Sequence, residues 1–460
     1  MRVPPHTWCT QQGPGACAPP LRLVWADRPG KRRTLPFSLA AGPQREGNGK
    51  PEQKTRQIDL MKRLQGLGQQ RKWWAVRSLM EKEEKGGLQL NVILYNVAMK
   101  AMGMSNQPQQ AVALLNEMKA RGLSPDTITY STLIDACGRA GDWQGAVRMF
   151  AEMKTQGLPI DITTCTTLMS AFARAGQWKR GMALFEEIKG RKLQPNIITY
   201  NSLLDACGKG GQLQKAIAVF EEMQEAGLEP TAVTYTSLID AHGRVGQWEK
   251  GIEVFEIMKG SGLRPQVITY SSLISACARG GQWSKSLELF QEMKMKGLAP
   301  NVVTYSTLIG ACGKGGQWQR AMALFEEMEA NGLRPNTVAF NALLGACGKG
   351  GQLGEAEAVF ERLKASGLKL DNISFNSMID AVGKAGDWER ALELVDEMKE
   401  AGLTPDHFTY NGLLGAHRRA GMSSNALGLL QEMKAQGLVP NLVTYYLIID
   451  VCCRSGELDR

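Results

Sequence analysis

A 35-residue period governs this chain of 460 residues. Close copies of the segment 302–336, VVTYSTLIGACGKGGQWQRAMALFEEMEANGLRPN, follow one another from residue 92 to residue 441. A period of about 20 to 50 residues is the signature of a repeat architecture, in which each unit is one supersecondary element. Chain length therefore gives no domain count, and we expect one stacked array instead of several globular domains.

The register divides the chain into four segments. Residues 1–56 form a basic leader that is rich in Pro and Gly and has no periodicity, so we predict that it is disordered. Residues 57–91 keep the register loosely as a degenerate repeat, 92–441 contain ten full repeats, and 442–460 hold part of an eleventh, truncated one. Repeats 1 to 10 begin at Val92, Thr127, Ile162, Ile197, Ala232, Val267, Val302, Thr337, Asn372 and His407.

Each repeat is predicted to fold as two amphipathic helices. In repeat 7, Tyr305, Ile309 and Cys312 recur at the three- and four-residue spacing that places them on one face of a first helix. Glycines then break that helix, a second helix begins at Trp318, and Pro335 prevents it from continuing. One hairpin cannot cover these apolar faces alone. The predicted fold class is therefore all-α: a right-handed α-solenoid, or superhelix, of stacked helix-turn-helix hairpins.

The composition argues against several kinds of site. Six cysteines occupy the eleventh residue of their repeats without any CxxC pair, so we expect core positions and neither a metal site nor disulfides. No apolar run reaches the about 18 residues that would span a membrane. Only four His are present, and none pairs with carboxylates at a catalytic spacing. We therefore predict no catalytic residue, no cofactor and no small-molecule substrate. The six cysteines are Cys137, Cys207, Cys277, Cys312, Cys347 and Cys452.

Two positions of the repeat are restricted to polar residues. The fifth residue is always Asn, Ser or Thr, although a solvated helix face would include better helix formers such as Glu, Lys or Ala. This restriction indicates a face that contacts something through hydrogen bonds. The last residue is mostly Asp or Asn, which are also good helix N-caps, so both interpretations stay open for it. The fifth residues are Asn96, Ser131, Thr166, Asn201, Thr236, Ser271, Ser306, Asn341, Asn376 and Asn411, and the last residues are Asp126, Asp161, Asn196, Thr231, Gln266, Asn301, Asn336, Asp371, Asp406 and Asn441.

A cation occupies the thirteenth residue of repeats 2 to 10. One cation per hairpin along one edge matches a polymer with one negative charge per subunit. A cation near a helix C-terminus also stabilises the helix by about 0.3 to 1 kcal/mol, which is the structural alternative. Glu at the twenty-sixth residue of eight repeats predicts that the second helices carry the opposite charge. The cations are Arg139, Arg174, Lys209, Arg244, Arg279, Lys314, Lys349, Lys384 and Arg419.

The units resemble pentatricopeptide repeats from about residue 57 onward, in their period, their VTYSTLI-type first helix, their ALFEEM-type second helix and their GLxPN or GLxPD ending. The resemblance implies single-stranded RNA as ligand, with one base per repeat chosen mainly by the fifth and last residues and wedged by the second. It implies the base order U-G-A-pyrimidine-purine-A-A-U-U-pyrimidine, with the cations approaching phosphates. If all nine cations do so, log affinity should fall with log salt at a slope of about −6. The implied wedges are Ile93, Ile128, Ile198, Val233, Ile268, Val303, Val338 and Ile373, whereas Thr163 and Phe408 depart from the aliphatic type.

The sequence thus predicts a sequence-specific RNA-binding protein that is not an enzyme and acts in organellar RNA processing, stability or translation. Its expected partners are single-stranded RNA and RNA-processing or translation factors, and no membrane. The leader carries eight Arg and Lys in residues 1–50 against two acidic residues, which suits a plastid or mitochondrial transit peptide. Two alternatives remain: an RNA-processing enzyme whose C-terminal catalytic domain is missing from this chain, and a protein-binding solenoid scaffold.

Overall fold

Helices joined by short connections make up the part of the chain that the computed structural model describes, residues 51–420 and 423–455. Two helices precede repeat 1, and each later hairpin has a first and a second helix. The first helices are α1 (Pro51–Gln69), α3 (Val92–Met104), α5 (Thr127–Arg139), α7 (Ile162–Arg174), α9 (Ile197–Lys209), α11 (Ala232–Arg244), α13 (Val267–Arg279), α15 (Val302–Lys314), α17 (Thr337–Lys349), α19 (Asn372–Ala385), α21 (His407–Ala420) and α23 (Leu442–Ser455). The second helices are α2 (Trp73–Lys85), α4 (Pro108–Ala120), α6 (Trp143–Thr155), α8 (Trp178–Gly190), α10 (Leu213–Glu225), α12 (Trp248–Gly260), α14 (Trp283–Met295), α16 (Trp318–Ala330), α18 (Leu353–Ala365), α20 (Trp388–Glu400) and α22 (Ser423–Ala435).

The helical array begins earlier than the sequence register indicated. Helix α1 starts at Pro51, so residues 51–56 belong to the array and not to a disordered leader. Arg56 fastens this helix to the next one, because its guanidinium donates to Glu83 Oε2 and to the Gly86 carbonyl, both at 3.3 Å. The remainder of the predicted leader, residues 1–50, lies outside the described part of the chain.

Repeat 7 shows why each helix begins and ends where it does. Asn301 caps α15 by accepting a hydrogen bond from the Thr304 amide at 3.0 Å. Two residues after α15, Gly316 adopts a φ of +71°, which favours glycine over any residue with a Cβ. After α16, Gly332 takes a φ of +73°, and the Leu333 amide donates to the Met328 carbonyl at 3.1 Å. The predicted hairpin therefore has a glycine stop at both helix ends.

The first helices lie close together because small residues face each other between repeats. A Cβ added to Gly313, the twelfth residue of repeat 7, would lie 2.6 Å from Cβ of Ala346 in repeat 8. Gly138 and Ala171 form the same contact between repeats 2 and 3. Each first helix thus contacts the next first helix, and each second helix contacts its own first helix and the next one. The first helices consequently form one continuous layer.

The core runs without interruption along the array. Aromatic rings join successive repeats: Phe290 and Tyr305 lie edge to face with centroids 5.3 Å apart, and Phe325 and Phe340 do so at 5.0 Å. The predicted core position of the eleventh-residue cysteines is confirmed for all except Cys452, which is half-buried. Burial raises the pKa of these core thiols, for example that of Cys207 to about 11, so they are weak nucleophiles. Cysteine at the eleventh position of the repeat therefore contributes to core packing.

Candidate nucleic-acid interface

The second residue of each first helix exposes a side chain from the layer. In the eight repeats where that residue is Ile or Val, the side chain is between 59 and 66 % exposed. Thr163 and Phe408, which stand at the same position in repeats 3 and 10, are exposed as well. A row of exposed apolar side chains at one regular spacing is a candidate contact site, because contiguous exposed apolar patches mark interaction surfaces. The eight predicted wedges, Ile93, Ile128, Ile198, Val233, Ile268, Val303, Val338 and Ile373, thus lie where a ligand could reach them.

The asparagines at the fifth position are held between two neighbours. Asn341 donates from Nδ2 to Oδ1 of Asp371, the last residue of its repeat, at 3.0 Å. Its Oδ1 accepts a hydrogen bond from the Ser374 hydroxyl, the third residue of the following repeat, at 2.7 Å. Repeats 1, 4 and 9 contain the same pair of bonds, with Asn96, Asn201 and Asn376 in the central position. In repeat 10, Asn411 accepts the bond from Thr444 at 2.9 Å.

Serine and threonine at the fifth position use the same neighbour. Ser271 shares a hydrogen bond of 2.7 Å with the Thr304 hydroxyl of the next repeat. Ser131, Thr166 and Thr236 have equivalent bonds of 2.8 to 2.9 Å. In repeat 7 the next repeat offers Ala339 instead of a hydroxyl, and Ser306 donates to the Val302 carbonyl of its own helix at 2.7 Å.

These bonds give the restricted fifth position a structural cause that the sequence analysis missed. Nine of the ten fifth residues bond across a repeat junction to a third residue that is Thr or Ser. The signal was present in the sequence, because the third residue is Thr or Ser in every repeat from 2 to 10 except at Ala339. A hydroxyl at both positions indicates a side-chain hydrogen bond between repeats.

In nine of the ten repeats the side chain of the last residue accepts a hydrogen bond from an amide of the next first helix, and the exception is Gln266 of repeat 5. Asp126 Oδ1 accepts from the Thr129 amide at 2.7 Å, and Asp371 Oδ1 accepts from the Ser374 amide at 2.9 Å. Oδ2 of these two carboxylates has no hydrogen-bond partner within the described residues. The two interpretations that the sequence left open are therefore compatible: one oxygen serves the fold, and the other is available to a ligand.

A cavity of about 240 Å³ between repeats 5 and 6 contains all three kinds of residue. Two second residues, Val233 and Ile268, line it together with the fifth residue Thr236 and the last residue Gln266. Positions that lie 30 residues apart in the sequence thus meet in one cleft. The cleft also includes Asp205 and Asp240, the ninth residues of repeats 4 and 5, which the sequence analysis did not single out.

Most of the thirteenth-residue cations are not free in the protein. Six of the nine lie within 4.0 Å of an aspartate at a ninth position, and Arg244 with Asp240 at 2.6 Å is typical. Lys314, Lys349 and Arg419 have no ion pair with any residue of the described segments. Repeats 2 to 10 therefore all have a cation at the thirteenth position, but only some of these cations are available to a ligand.

The glutamates at the twenty-sixth position of the second helices are engaged in contacts that the sequence did not indicate. Glu327 accepts hydrogen bonds from the Tyr305 hydroxyl at 2.7 Å and from Nζ of Lys294, in the preceding repeat, at 2.8 Å. Burial raises the pKa of Glu327, but these two bonds more than offset it and leave the pKa below its ordinary value. Lys–Glu pairs between the twenty-eighth residue of one repeat and the twenty-sixth of the next recur at seven junctions. These glutamates join repeats.

Within the described residues we find no group of three or more His, Cys, Asp or Glu side chains placed to hold a metal ion. The same residues contain no helix that is both long and apolar enough to cross a membrane.

Family profiles match most of the array. The profile described as "Pentatricopeptide repeat domain" matches residues 148–210, 253–315 and 288–350. The "PPR repeat family" profile matches 90–139, 195–244, 335–384, 370–419 and 409–454, and the "PPR repeat" profile matches 128–158 and 233–263. Together these matches run from residue 90 to residue 454. No curated protein matches the sequence.

Several solved structures resemble the chain. The pentatricopeptide repeat protein PPR10 from maize is 27% identical, with a TM-score of 0.45 over 87% of this chain and 62% of that one. Yeast Rmd9p, in complex with a 16-nt target RNA, is 11% identical, with a TM-score of 0.37 over 89% of this chain and 86% of that one. The PPR domain of Arabidopsis thaliana protein-only RNase P 1, in complex with tRNA, is 18% identical, with a TM-score of 0.34 over 39% and 94%. The chain thus spans less than two thirds of the maize protein's structure.

Proposed function

Because the chain belongs to the pentatricopeptide repeat family, we propose that it binds single-stranded RNA along its layer of first helices, one base per repeat. The observation that carries this proposal is the cleft between repeats 5 and 6. There the exposed side chains of Val233 and Ile268 flank the polar groups of Thr236 and Gln266. A base inserted between two aliphatic side chains would bury its faces and turn its polar edge toward the fifth and last residues. The second, fifth and last residues recur in every repeat, which suits a polymer that places one base at each repeat.

The asparagine repeats suggest how a base edge is read. In repeat 8, one Nδ2 proton of Asn341 bonds to Asp371 Oδ1, which leaves the second proton and Asp371 Oδ2 for a ligand. The pairing edge of uracil offers a carbonyl acceptor next to an N–H donor. A free amide proton beside a free carboxylate oxygen complements that edge. The proposed order of bases is U-G-A-pyrimidine-purine-A-A-U-U-pyrimidine, read from repeat 1 as the 5′ end.

We further propose an organellar role, which rests on the composition of residues 1–50 and not on the array. A protein that covers about ten nucleotides can block a nuclease, keep a ribosome site unpaired or recruit a processing factor. None of these outcomes requires chemistry by the protein itself.

The test is a selection of RNA ligands from a random pool, followed by a change of one repeat. The wild-type protein should enrich the proposed string. The Asn341→Ser variant should prefer G over U at the eighth position by about tenfold or more, which corresponds to about 1.4 kcal/mol. The fold should tolerate this change, because serine bonds to the next repeat's hydroxyl at Ser131.

Thr307→Ala supplies the control. Thr307 is a polar residue of a first helix outside the second, fifth and last positions, and its hydroxyl donates only to the Val303 carbonyl of that helix. This variant should keep the wild-type preference. A pool without enrichment, or a preference at the eighth position that is unchanged by Asn341→Ser, would contradict the proposal.

A further inference from the structure

The ninth residue of each repeat lies one helical turn before the thirteenth, on the same face of the first helix. Its chemistry varies along the array, whereas the thirteenth residue stays cationic in repeats 2 to 10. Aspartate occupies the ninth position in repeats 2, 4, 5 and 9, serine in repeats 3 and 6, and glycine in repeats 7, 8 and 10. In that order these residues are Asp135, Asp205, Asp240 and Asp380, then Ser170 and Ser275, then Gly310, Gly345 and Gly415.

Each aspartate neutralises the cation of its own repeat, and two of them reach the next repeat as well. Asp240 accepts from Arg244 at 2.6 Å and from Arg279, in repeat 6, at 2.9 Å. Asp135 pairs with Arg139 at 2.7 Å and with Arg174, in repeat 3, at 3.9 Å. This sharing explains how the repeats with serine, 3 and 6, still have a paired cation.

The shared aspartate stays ionised at neutral pH. Burial raises the pKa of Asp240, but hydrogen bonds from Arg244 and Arg279 outweigh it and keep the pKa below its ordinary value. The carboxylate also lines the cleft between Val233 and Ile268. A phosphate that approaches Arg244 therefore meets a fixed negative charge beside it.

Repeats 7 and 8 have the opposite electrostatics. Lys314 and Lys349 are exposed, and glycine stands at the ninth position of both repeats. The preceding repeat supplies no carboxylate either, because its ninth residue is Ser275 for Lys314 and Gly310 for Lys349. Arg419 in repeat 10 likewise follows a glycine at the ninth position and has no partner within the described residues.

We propose that the ninth residue sets how strongly each repeat holds the RNA backbone, and that repeats 7 and 8 are the main electrostatic anchor of the array. An aspartate at the ninth position neutralises the charge of the neighbouring cation, and a glycine leaves that cation available to a phosphate. This inference rests on the proposed function, because it concerns the backbone of the RNA whose bases the fifth and last residues read. The affinity for the RNA backbone is then set by the ninth and thirteenth residues, separately from the choice of base, which the fifth and last residues determine.

The inference changes the expected salt dependence. Each phosphate neutralised on a single strand contributes about −0.7 to the slope of log affinity against log salt. Nine equal contacts would give a slope of about −6, whereas three available cations give about −2. A cation that already has a carboxylate partner releases few further counterions when a phosphate replaces that partner.

The test introduces the missing carboxylates. Gly310→Asp with Gly345→Asp should silence Lys314 and Lys349, and the control is Gly310→Asn with Gly345→Asn, which has the same shape without charge. Both sites have room, because an added Cβ at Gly345 meets nothing within 4 Å and at Gly310 only Ala342 Cβ at 3.8 Å. Circular dichroism should show the same helix content for both variants.

RNA of the wild-type selected sequence is then titrated at about 50 and 200 mM salt. The slope of log affinity against log salt should be shallower by about 1.4 for the aspartate variant than for the asparagine control. Between the two salt concentrations, the control should therefore lose about sevenfold more affinity than the aspartate variant loses. Asp135→Asn should have the reverse effect and steepen the slope, because it frees Arg139 and Arg174. Equal slopes for the aspartate and asparagine variants, with wild-type binding intact, would overturn this inference alone. Absence of RNA binding by the wild type would overturn the proposed function and this inference together.

Discussion

The junction between repeats 6 and 7 allows a quantitative test of how neighbouring repeats fit. Trp283 opens α14, and its ring lies against Gly315, which follows α15 in the next repeat. From repeat 2 onward, a large residue that opens the second helix stands opposite a small fourteenth residue of the following repeat, and a smaller opening residue permits a larger partner. Tryptophan faces glycine at four junctions and alanine at two, whereas Leu213 stands opposite Val245 and Leu353 opposite Ala385.

Gly315→Val should overpack this junction. Gly315 has a φ of −82°, so the backbone accepts any residue and only space is at issue. A Cβ there would lie 2.3 Å from Cδ1 of Trp283, and the guanidinium of Arg320, 4.9 Å from the ring centroid, covers the ring as well. Extra volume in a close-packed site costs about 1 to 3 kcal/mol. We expect the free energy of opening this junction to fall by that amount.

Trp283→Leu in the same molecule should rescue the variant, because the double substitution reproduces the natural pair Leu213 and Val245. Leucine has no ring for the valine to meet. We expect the Gly315→Val change to cost less than about 0.5 kcal/mol in the Trp283→Leu background, which gives a coupling energy of about 1 to 2 kcal/mol. Ala385→Val, opposite Leu353, is the matched control and should also cost about 0.5 kcal/mol or less.

Native-state hydrogen exchange of amides in α14 to α16 is the suitable measurement, because a repeat array opens locally and a single melting temperature averages over all junctions. Exchange in α4 and α5 should be unchanged in every variant. The size-matching argument would be refuted if Gly315→Val left exchange unaltered, or if it cost as much with leucine at position 283 as with tryptophan.

Two further predictions concern charge. Glu329 and Arg362 pair at 2.8 Å in the reverse order of the Lys–Glu pairs at seven other junctions, so Glu329→Lys or Arg362→Glu alone should destabilise repeats 7 and 8 by about 0.2 to 1 kcal/mol, and the double exchange should restore stability in urea denaturation. Burial lowers the pKa of His242, which lies near Lys250 and Glu253, so the unfolded chain takes up the proton first, near pH 6.5, and the folded state loses stability as pH falls through that value. His242→Cys, which places the residue of six other repeats in this position, should reduce that loss between about pH 7 and 5 in the same denaturation experiment, and an unchanged pH profile would contradict the assignment.

The sequence was sufficient to predict the hairpins, because glycine, proline and apolar spacing act within one repeat. The glycine that follows the first helix of repeat 7, Gly316, and the cap by Asn301 are found in the structure for that reason. The charge pattern was less predictable. Comparing equivalent residues of different repeats shows a cation at the thirteenth position of repeats 2 to 10. The carboxylate that pairs with such a cation, however, lies at the ninth position of the same repeat or of a neighbouring one. Asp240 with Arg279, which are 39 residues apart, is such a pair.

The fifth residue raises the question of whether its restriction serves the fold or a ligand. At nine repeats the hydrogen bond across the junction is reason enough for Asn, Ser or Thr, so these positions do not argue for RNA by themselves. Ser306 is different, because Ala339 gives it no hydroxyl partner and its hydroxyl donates only to the Val302 carbonyl. A serine with that bond in a helix interior contributes nothing to stability and slightly disfavours the helix. Alanine would be the better helix residue at this position. Ser306 is therefore the one fifth residue of repeats 1 to 10 whose type the hydrogen bonds between repeats do not account for.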